Sequence, residues 1–161
     1  MKTKKGQFFS YDAIVAGALF AIFLTILFIY WSSIRSFVFV QVDDMFRIGL
    51  KVSDSLLSPG SPPNWNITSE IKQVGLTDRY GSVKINPSKA QNATMLDYQT
   101  LKSYLGLGAY EIYVVINSSS NTLTIGQPPI DAKGKITLVR PVVYNDNPAN
   151  LSITVWANFT A

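Results

Sequence analysis

Asp12-Ala-Ile-Val-Ala-Gly-Ala-Leu-Phe-Ala-Ile-Phe-Leu-Thr-Ile-Leu-Phe-Ile-Tyr-Trp31 decides how the rest of the chain is read. No residue from Ala13 to Trp31 carries a charge, and the run falls within the ~17–25 residues a helix needs to cross a bilayer. A segment in lipid must satisfy its own backbone, so a transmembrane helix is predicted over 13–31. Tyr30 and Trp31 close the run, as interfacial aromatics do. Ala13, Gly17, Ala21 and Thr25 recur every four residues. They put small side chains in one line that lets helix backbones approach closely. That line is either a helix-packing seam or the ordinary alanine and glycine content of a membrane helix.

The helix is expected to outrun the membrane. From Ser32 to Leu57 there is no proline, and Gly49 is the only glycine. Ile34, Phe37, Val38, Val42, Met45, Phe46, Gly49, Val52 and Leu56 follow in steps of three and four, one face of a 3.6-period helix. Taken alone, 37–42 is β-prone, but the flanking period carries a helix through it. Pro59-Gly60 ends the helix, which is predicted over 7–57. At ~1.5 Å per residue it is about 70 Å long, more than twice a ~30 Å bilayer core. Its outer half carries an apolar stripe that needs a cover.

Composition narrows the chemistry. A chain of 161 residues holds one membrane helix and one small domain. It has no cysteine and no histidine, which excludes disulfides, thiolate metal sites and the commonest general base. Lys2, Lys4 and Lys5 supply three of the 14 basic side chains, against 10 acidic ones, so the net +4 resides mostly in the first six residues. The remainder is nearly neutral and does not read as a nucleic-acid surface. Lysines just before a membrane helix stay cytoplasmic, so everything after Trp31 is expected outside the cell.

Beyond the helix, Ser58-Pro-Gly-Ser-Pro-Pro-Asn64 reads as a linker that cannot continue a helix. Trp65 is expected to dock it onto the following domain rather than to bind carbohydrate. Residues 71–85 suggest short extended pieces, and 86–92 one helical turn after Pro87. Residues 97–105 read as a short helix with Asp97 as N-cap and Gly106 at its end, with Leu101, Tyr104 and Leu105 facing inward. Strands at 110–116 and 122–125 form one hairpin, and strands at 135–144 and 151–159 another. In the last, Leu151, Ile153, Val155 and Ala157 share the buried face, leaving Ser152, Thr154, Trp156 and Asn158 outside. Pro141 argues for an edge or a bulge. The predicted fold is α+β, a long helix packed on a small antiparallel sheet domain over 65–161.

No cleavage pattern follows the apolar run, where Tyr30-Trp-Ser-Ser-Ile-Arg35 stands. The small residue precedes it, in Lys4-Lys5-Gly6-Gln7. Lys-Lys-Gly-Gln ahead of the hexad Gln7-Phe-Phe-Ser-Tyr-Asp12 and a long apolar helix resembles the N-terminus of an archaeal type IV prepilin. The resemblance covers residues 2–35 as a motif and the helix-then-β-domain layout as a pattern. Pro62-Pro-Asn-Trp65, Leu96-Asp-Tyr-Gln-Thr-Leu101 through Leu105-Gly-Leu-Gly108, and the closing run 140–156 also resemble archaeal exported pilin-like proteins. The resemblance implies that a membrane-embedded prepilin peptidase cuts between Gly6 and Gln7, so that 1–6 is a leader and the helix is kept. It implies a filament or pseudopilus subunit whose partners are copies of itself or other pilins, the assembly machinery and the membrane. A plain signal anchor is the alternative. Bacterial pilins carry a glutamate at the fifth mature position; here that position is Tyr11, and the acid is Asp12, the sixth. Asp12 either pairs with the α-amine of Gln7 in a neighbouring copy or complements the helix dipole.

Asn-x-Ser/Thr sequons stand at Asn66, Asn92, Asn117, Asn150 and Asn158, an excess over chance and all on the predicted exterior. They mark glycosylation sites or an Asn/Ser/Thr-rich bare surface. No nucleophile elbow, phosphate-cradling loop or metal spacing is present. Gly106-Leu-Gly108 precedes a strand, and Glu70, Asp78, Asp97, Glu111, Asp131 and Asp146 are scattered. The expectation is therefore a non-enzyme without cofactor or metal. The rival reading is a single-copy, membrane-anchored extracellular binding module.

Overall fold

The structure is a computed structural model. It describes residues 5–68, 70–119, 121–130, 132 and 134–157, the side chains of 5–10 and 36–41 excepted. Helix α1 spans Lys5–Leu56. The chain divides into two compact units, Met1–Gln41 and Val42–Ala161. The division falls inside α1 rather than in the Pro/Gly stretch 58–64.

In the first unit α1 contains a span, Tyr11–Arg35, long and apolar enough to cross a membrane. None of it is buried, and all-round apolarity with no protein cover is what a lipid-facing helix needs. In the second unit α1 becomes amphipathic. Met45, Gly49, Val52, Ser53 and Leu56 are buried while Asp43, Asp44, Arg47 and Asp54 are exposed. Phe46, predicted inward, is exposed, because the stripe narrows to a single seam along Met45, Gly49 and Val52.

Five strands, β1 (Lys84–Ile85), β2 (Tyr110–Ser118), β3 (Thr122–Gly126), β4 (Lys135–Tyr144) and β5 (Asn147–Ala157), make a curled sheet. Its order is β1-β4-β5-β2-β3. The sheet is mixed, not antiparallel as expected. The two hairpins pair antiparallel as predicted, but β1 adds to β4 in parallel, Lys84 opposite Val143 and Ile85 opposite Tyr144. A two-residue strand is too short to show a period, so only the register reveals it. The β4–β5 turn is tighter than predicted. Asn145 and Asp146 both adopt positive φ, the backbone of a two-residue hairpin turn that these residue types tolerate. Pro141 lies where β4 has β5 on one side and no β1 residue on the other, an effective edge.

Helix α2 runs Pro87–Met95, longer than the single turn expected. Asn86 caps it by accepting from Ser88 N and Lys89 N, with Pro87 suited to the first position. Lys89, Ala90 and Ala93 are buried in it, and the two alanines are too small to register as an apolar stripe. Helix α3, Tyr98–Leu105, matches the prediction, with Asp97 as N-cap and Gly106 left-handed at its end. Leu101 and Leu105 are buried and Tyr104 partly so.

Val52 and Leu56 of α1, Ala90 and Ala93 of α2, Leu101 and Leu105 of α3 and the inward residues of β2 and β5 form one core. Each buried Val, Leu or Ile contributes about 1.5–3 kcal/mol. Trp65 is buried and donates Nε1 to Gly75 O at 2.7 Å. Segment 58–64 is packed against it rather than loose. Leu76 N donates to Leu56 O at 2.7 Å and Ser61 N to Gln73 O at 2.9 Å. A side chain on Gly75 would collide with the Ser58 carbonyl. Trp156, expected outside, is 3% exposed. Parity sets which side of the sheet a residue takes, not what else lies there. Trp156 stands in the interior strand β5, opposite Glu111 of β2 on one side and Lys135 of β4 on the other.

Candidate functional site

In the first unit, Leu19, Phe20, Ile22, Phe23 and Ile26 present apolar surface without cover. So large a contiguous uncovered patch is compatible with a transmembrane helix or a signal sequence. Thr25 Oγ1 donates to Ala21 O at 2.8 Å, so the one hydroxyl among Ala13, Gly17, Ala21 and Thr25 is satisfied inside the helix. A Cβ on Gly17 would meet nothing. Gly6 and Gln7 lie in the first turns of α1, and Asp12 is exposed there. Lys2 and Lys4 lie outside the described residues.

In the second unit α1 is fixed to the sheet. A Cβ on Gly49 would stand 2.7 Å from Leu138 Cδ1 and 3.7 Å from Val155 Cγ2. Glycine is what lets β4 approach so closely. Beside it Arg140 Nε donates to buried Ser53 Oγ at 3.1 Å and reaches Asp54 at 3.4 Å. Lys89, 4% exposed, donates to Pro59 O at 3.0 Å and Thr77 O at 2.7 Å. A buried ammonium needs such partners. It clasps the segment after α1, a role no sequence pattern signals.

A second polar cluster ties α3 to β2. The Tyr98 hydroxyl donates to Glu111 and accepts from Ile112 N at 3.1 Å, and Lys102 Nζ lies 2.8 Å from Glu111 Oε1. Burial, then the bond to Glu111, holds the Tyr98 hydroxyl well above its usual range. Burial pushes Glu111 up, but the bonds from Lys102 and Tyr98 together outweigh it and hold its carboxyl below the usual range. The cluster thus joins α3 to β2 through the carboxylate that Tyr98 and Lys102 share.

An open groove of about 710 Å³ is lined by Lys51, Asp54, Lys72, Gln73, Tyr80 and Tyr104, among others. It combines two cations and the Asp54 carboxylate with aromatic and hydroxyl groups. Among the described residues no His/Cys/Asp/Glu group could hold a metal ion. Asp131 lies outside the described residues, as does Asn158.

The remaining sequon asparagines fall together in pairs. Asn117 is exposed on β2, directly opposite exposed Asn150 on β5. Asn66 lies in a 3₁₀ turn, Trp65–Ile67, and its carbonyl accepts from Asn92 Nδ2 at 2.7 Å. Sequence spacing hid both juxtapositions, since each pair is brought together only by the fold. No family model matches the chain, and no curated protein or solved structure matches it either.

Proposed function

We propose that the chain is a structural subunit of an archaeal type IV pilus-like filament or pseudopilus. One observation carries the reading: Lys4-Lys5-Gly6-Gln7 stands directly ahead of a helix whose span Tyr11–Arg35 is apolar and uncovered. The lysines hold the N-terminus in the cytoplasm, and the unit Val42–Ala161 lies outside the cell. Prepilin peptidase cuts between Gly6 and Gln7. The span stores the subunit in the membrane, and copies later bury it against one another, with Ala13, Gly17, Ala21 and Thr25 as the line of close approach. The outer unit then faces neighbours and surfaces, as an adhesive decoration does. Asp12 pairs with the new Gln7 α-amine of an adjacent copy; unchanged filament yield from Asp12→Asn would remove that pairing.

N-terminal sequencing of the protein from its native membranes tests the proposal. A mature chain beginning at Gln7 is the expected result; retention of Lys2–Gly6 overturns it. The groove at Lys51 and Lys72 favours a second reading, a single-copy membrane-anchored extracellular binding module. That reading predicts the retained leader and no filaments.

A further inference from the structure

The four described sequons form two pairs, Asn66 with Asn92 and Asn117 with Asn150. We propose that each pair carries a single N-linked glycan: Asn66 but not Asn92, and Asn117 or Asn150 but never both on one molecule. This rests on the reading of the unit Val42–Ala161 as exported and glycosylated. The transfer takes a glycosyl group from a lipid-linked glycosyl diphosphate. A bond forms between asparagine Nδ2 and the anomeric carbon, the bond from that carbon to the diphosphate oxygen breaks, and the diphosphate leaves with the electron pair. Nδ2 gives up one proton. The acceptor therefore needs a free Nδ2, room for a sugar, and a hydroxyl residue two positions on that is free to engage the transferase.

Asn92 is the member of its pair that the fold already engages. Its Nδ2 is the donor to Asn66 O at 2.7 Å. Its sequon lies within α2, where Ala93 is 1% exposed and Thr94 Oγ1 already donates to Gln91 O at 2.7 Å. A sugar there would stand against the turn that carries Asn66. The Asn66 sequon is the opposite case. Ile67 is 78% exposed and Thr68 has extended backbone, and Thr68 Oγ1, enclosed by the fold, is held by no hydrogen bond there.

Asn117 and Asn150 are each suitable but exclude one another. They are direct partners across β2 and β5, on the face opposite buried Ile116 and Leu151. Opposed residues in an antiparallel pair have Cβ atoms ~4.5–5.5 Å apart. Two sugars rooted that closely would contend for one place. The place is a hollow of about 410 Å³ shared by both asparagines and flanked by Pro141 and Pro148. Thr122 Oγ1 donates to Asn117 Oδ1 at 3.2 Å. The protein thus engages the amide oxygen of Asn117 and leaves the nitrogen for the sugar. Ser119 is exposed, and Ser152 is half-buried on the face of Asn150.

The test is intact mass of the full chain purified from its native cells, for the wild type, N66Q, N92Q, N117Q, N150Q and N117Q/N150Q. Glycans are counted after deglycosylation of a matched sample. N66Q is expected to lose one glycan and N92Q none. At least one of N117Q and N150Q keeps the wild-type number, while the double variant loses one. The proposal is overturned if N92Q loses a glycan, if N66Q loses none, if N117Q and N150Q each lose one, or if the double variant loses none. Leader processing is read from the N-terminus of the same samples, so this inference and the filament reading fail separately.

Discussion

Two parts of α1 share a backbone conformation and almost nothing else. Over Tyr11–Arg35 the helix is apolar on every side and nothing in its unit covers it. Over 45–56 only one face is apolar, and that face is buried in the core of the second unit. An isolated helix is marginal in water, and tertiary contact supplies most of its stability. The second part therefore draws its order from the sheet, while the first requires a medium. What distinguishes them is both the share of apolar side chains and how those side chains are spread around the helix.

The same substitution should accordingly have unlike effects in the two parts. Leu56 is 1% exposed and Leu24 is 47% exposed. Leu56→Ala should destabilise the second unit by about 2–5 kcal/mol, and Leu24→Ala should change it by less than ~0.5 kcal/mol. Denaturant melts of the full chain in detergent, followed by tryptophan fluorescence, measure both. Equal losses would mean that the span is covered by protein after all.

The glycines sharpen the contrast. Gly49→Val drives branched carbons into Leu138, whose Cδ1 already lies 2.7 Å from a Cβ at that position. A loss of about 1–3 kcal/mol is expected from such overpacking. Gly17→Val has open space around it and should leave the melt unchanged. If Gly17 lies in a packing seam, the same variant should reduce crosslinking between copies in membranes.

Acid should act on the second unit through Glu111. Its carboxyl is held below the ordinary value of 4.5. The ionised form is therefore favoured by folding. Its contribution is complete above about pH 4.5 and disappears as the pH falls below that, through the lower folded value. Glu111→Gln should flatten the stability profile below pH 4.5, by an amount on the order of 1 kcal/mol. Urea midpoints from pH 3 to pH 7 check this; parallel profiles for the two proteins would show that Glu111 is not the group responsible. The smallest effect should come from Asp43→Asn, which breaks a 2.9 Å pair with Arg47 whose side chains are 57% and 75% exposed. A change of ~0.3–0.5 kcal/mol is expected, vanishing in high salt.

Features with a local physical cause were readable from residues alone. Asp97 and Gly106 announced α3 because a cap and a left-handed terminator are properties of single side chains. Both antiparallel hairpins were visible because strand periodicity and turn residues are short-range. Other features were hidden. Strand β1 has only two residues, and the buried apolar residues of α2 are alanines. Trp156 took the predicted side of β5 yet is buried, and Lys89 lies inside the fold. In each case the deciding contact comes from residues distant in the chain. The pairing of Asn117 with Asn150, and of Asn66 with Asn92, belongs to the same class.

By itself the sequence determined that a helix contains a charge-free run from Ala13 to Trp31, that its apolar pattern then narrows to one face, and that antiparallel hairpins follow. Those features depend on hydrophobic periodicity and backbone preference, which act over a few residues. Tertiary structure alone decided which sheet edge accepts a parallel strand, which lysine and tryptophan are buried, and which asparagines become neighbours. These follow from strand order and close packing, which bring together groups that chain spacing keeps apart.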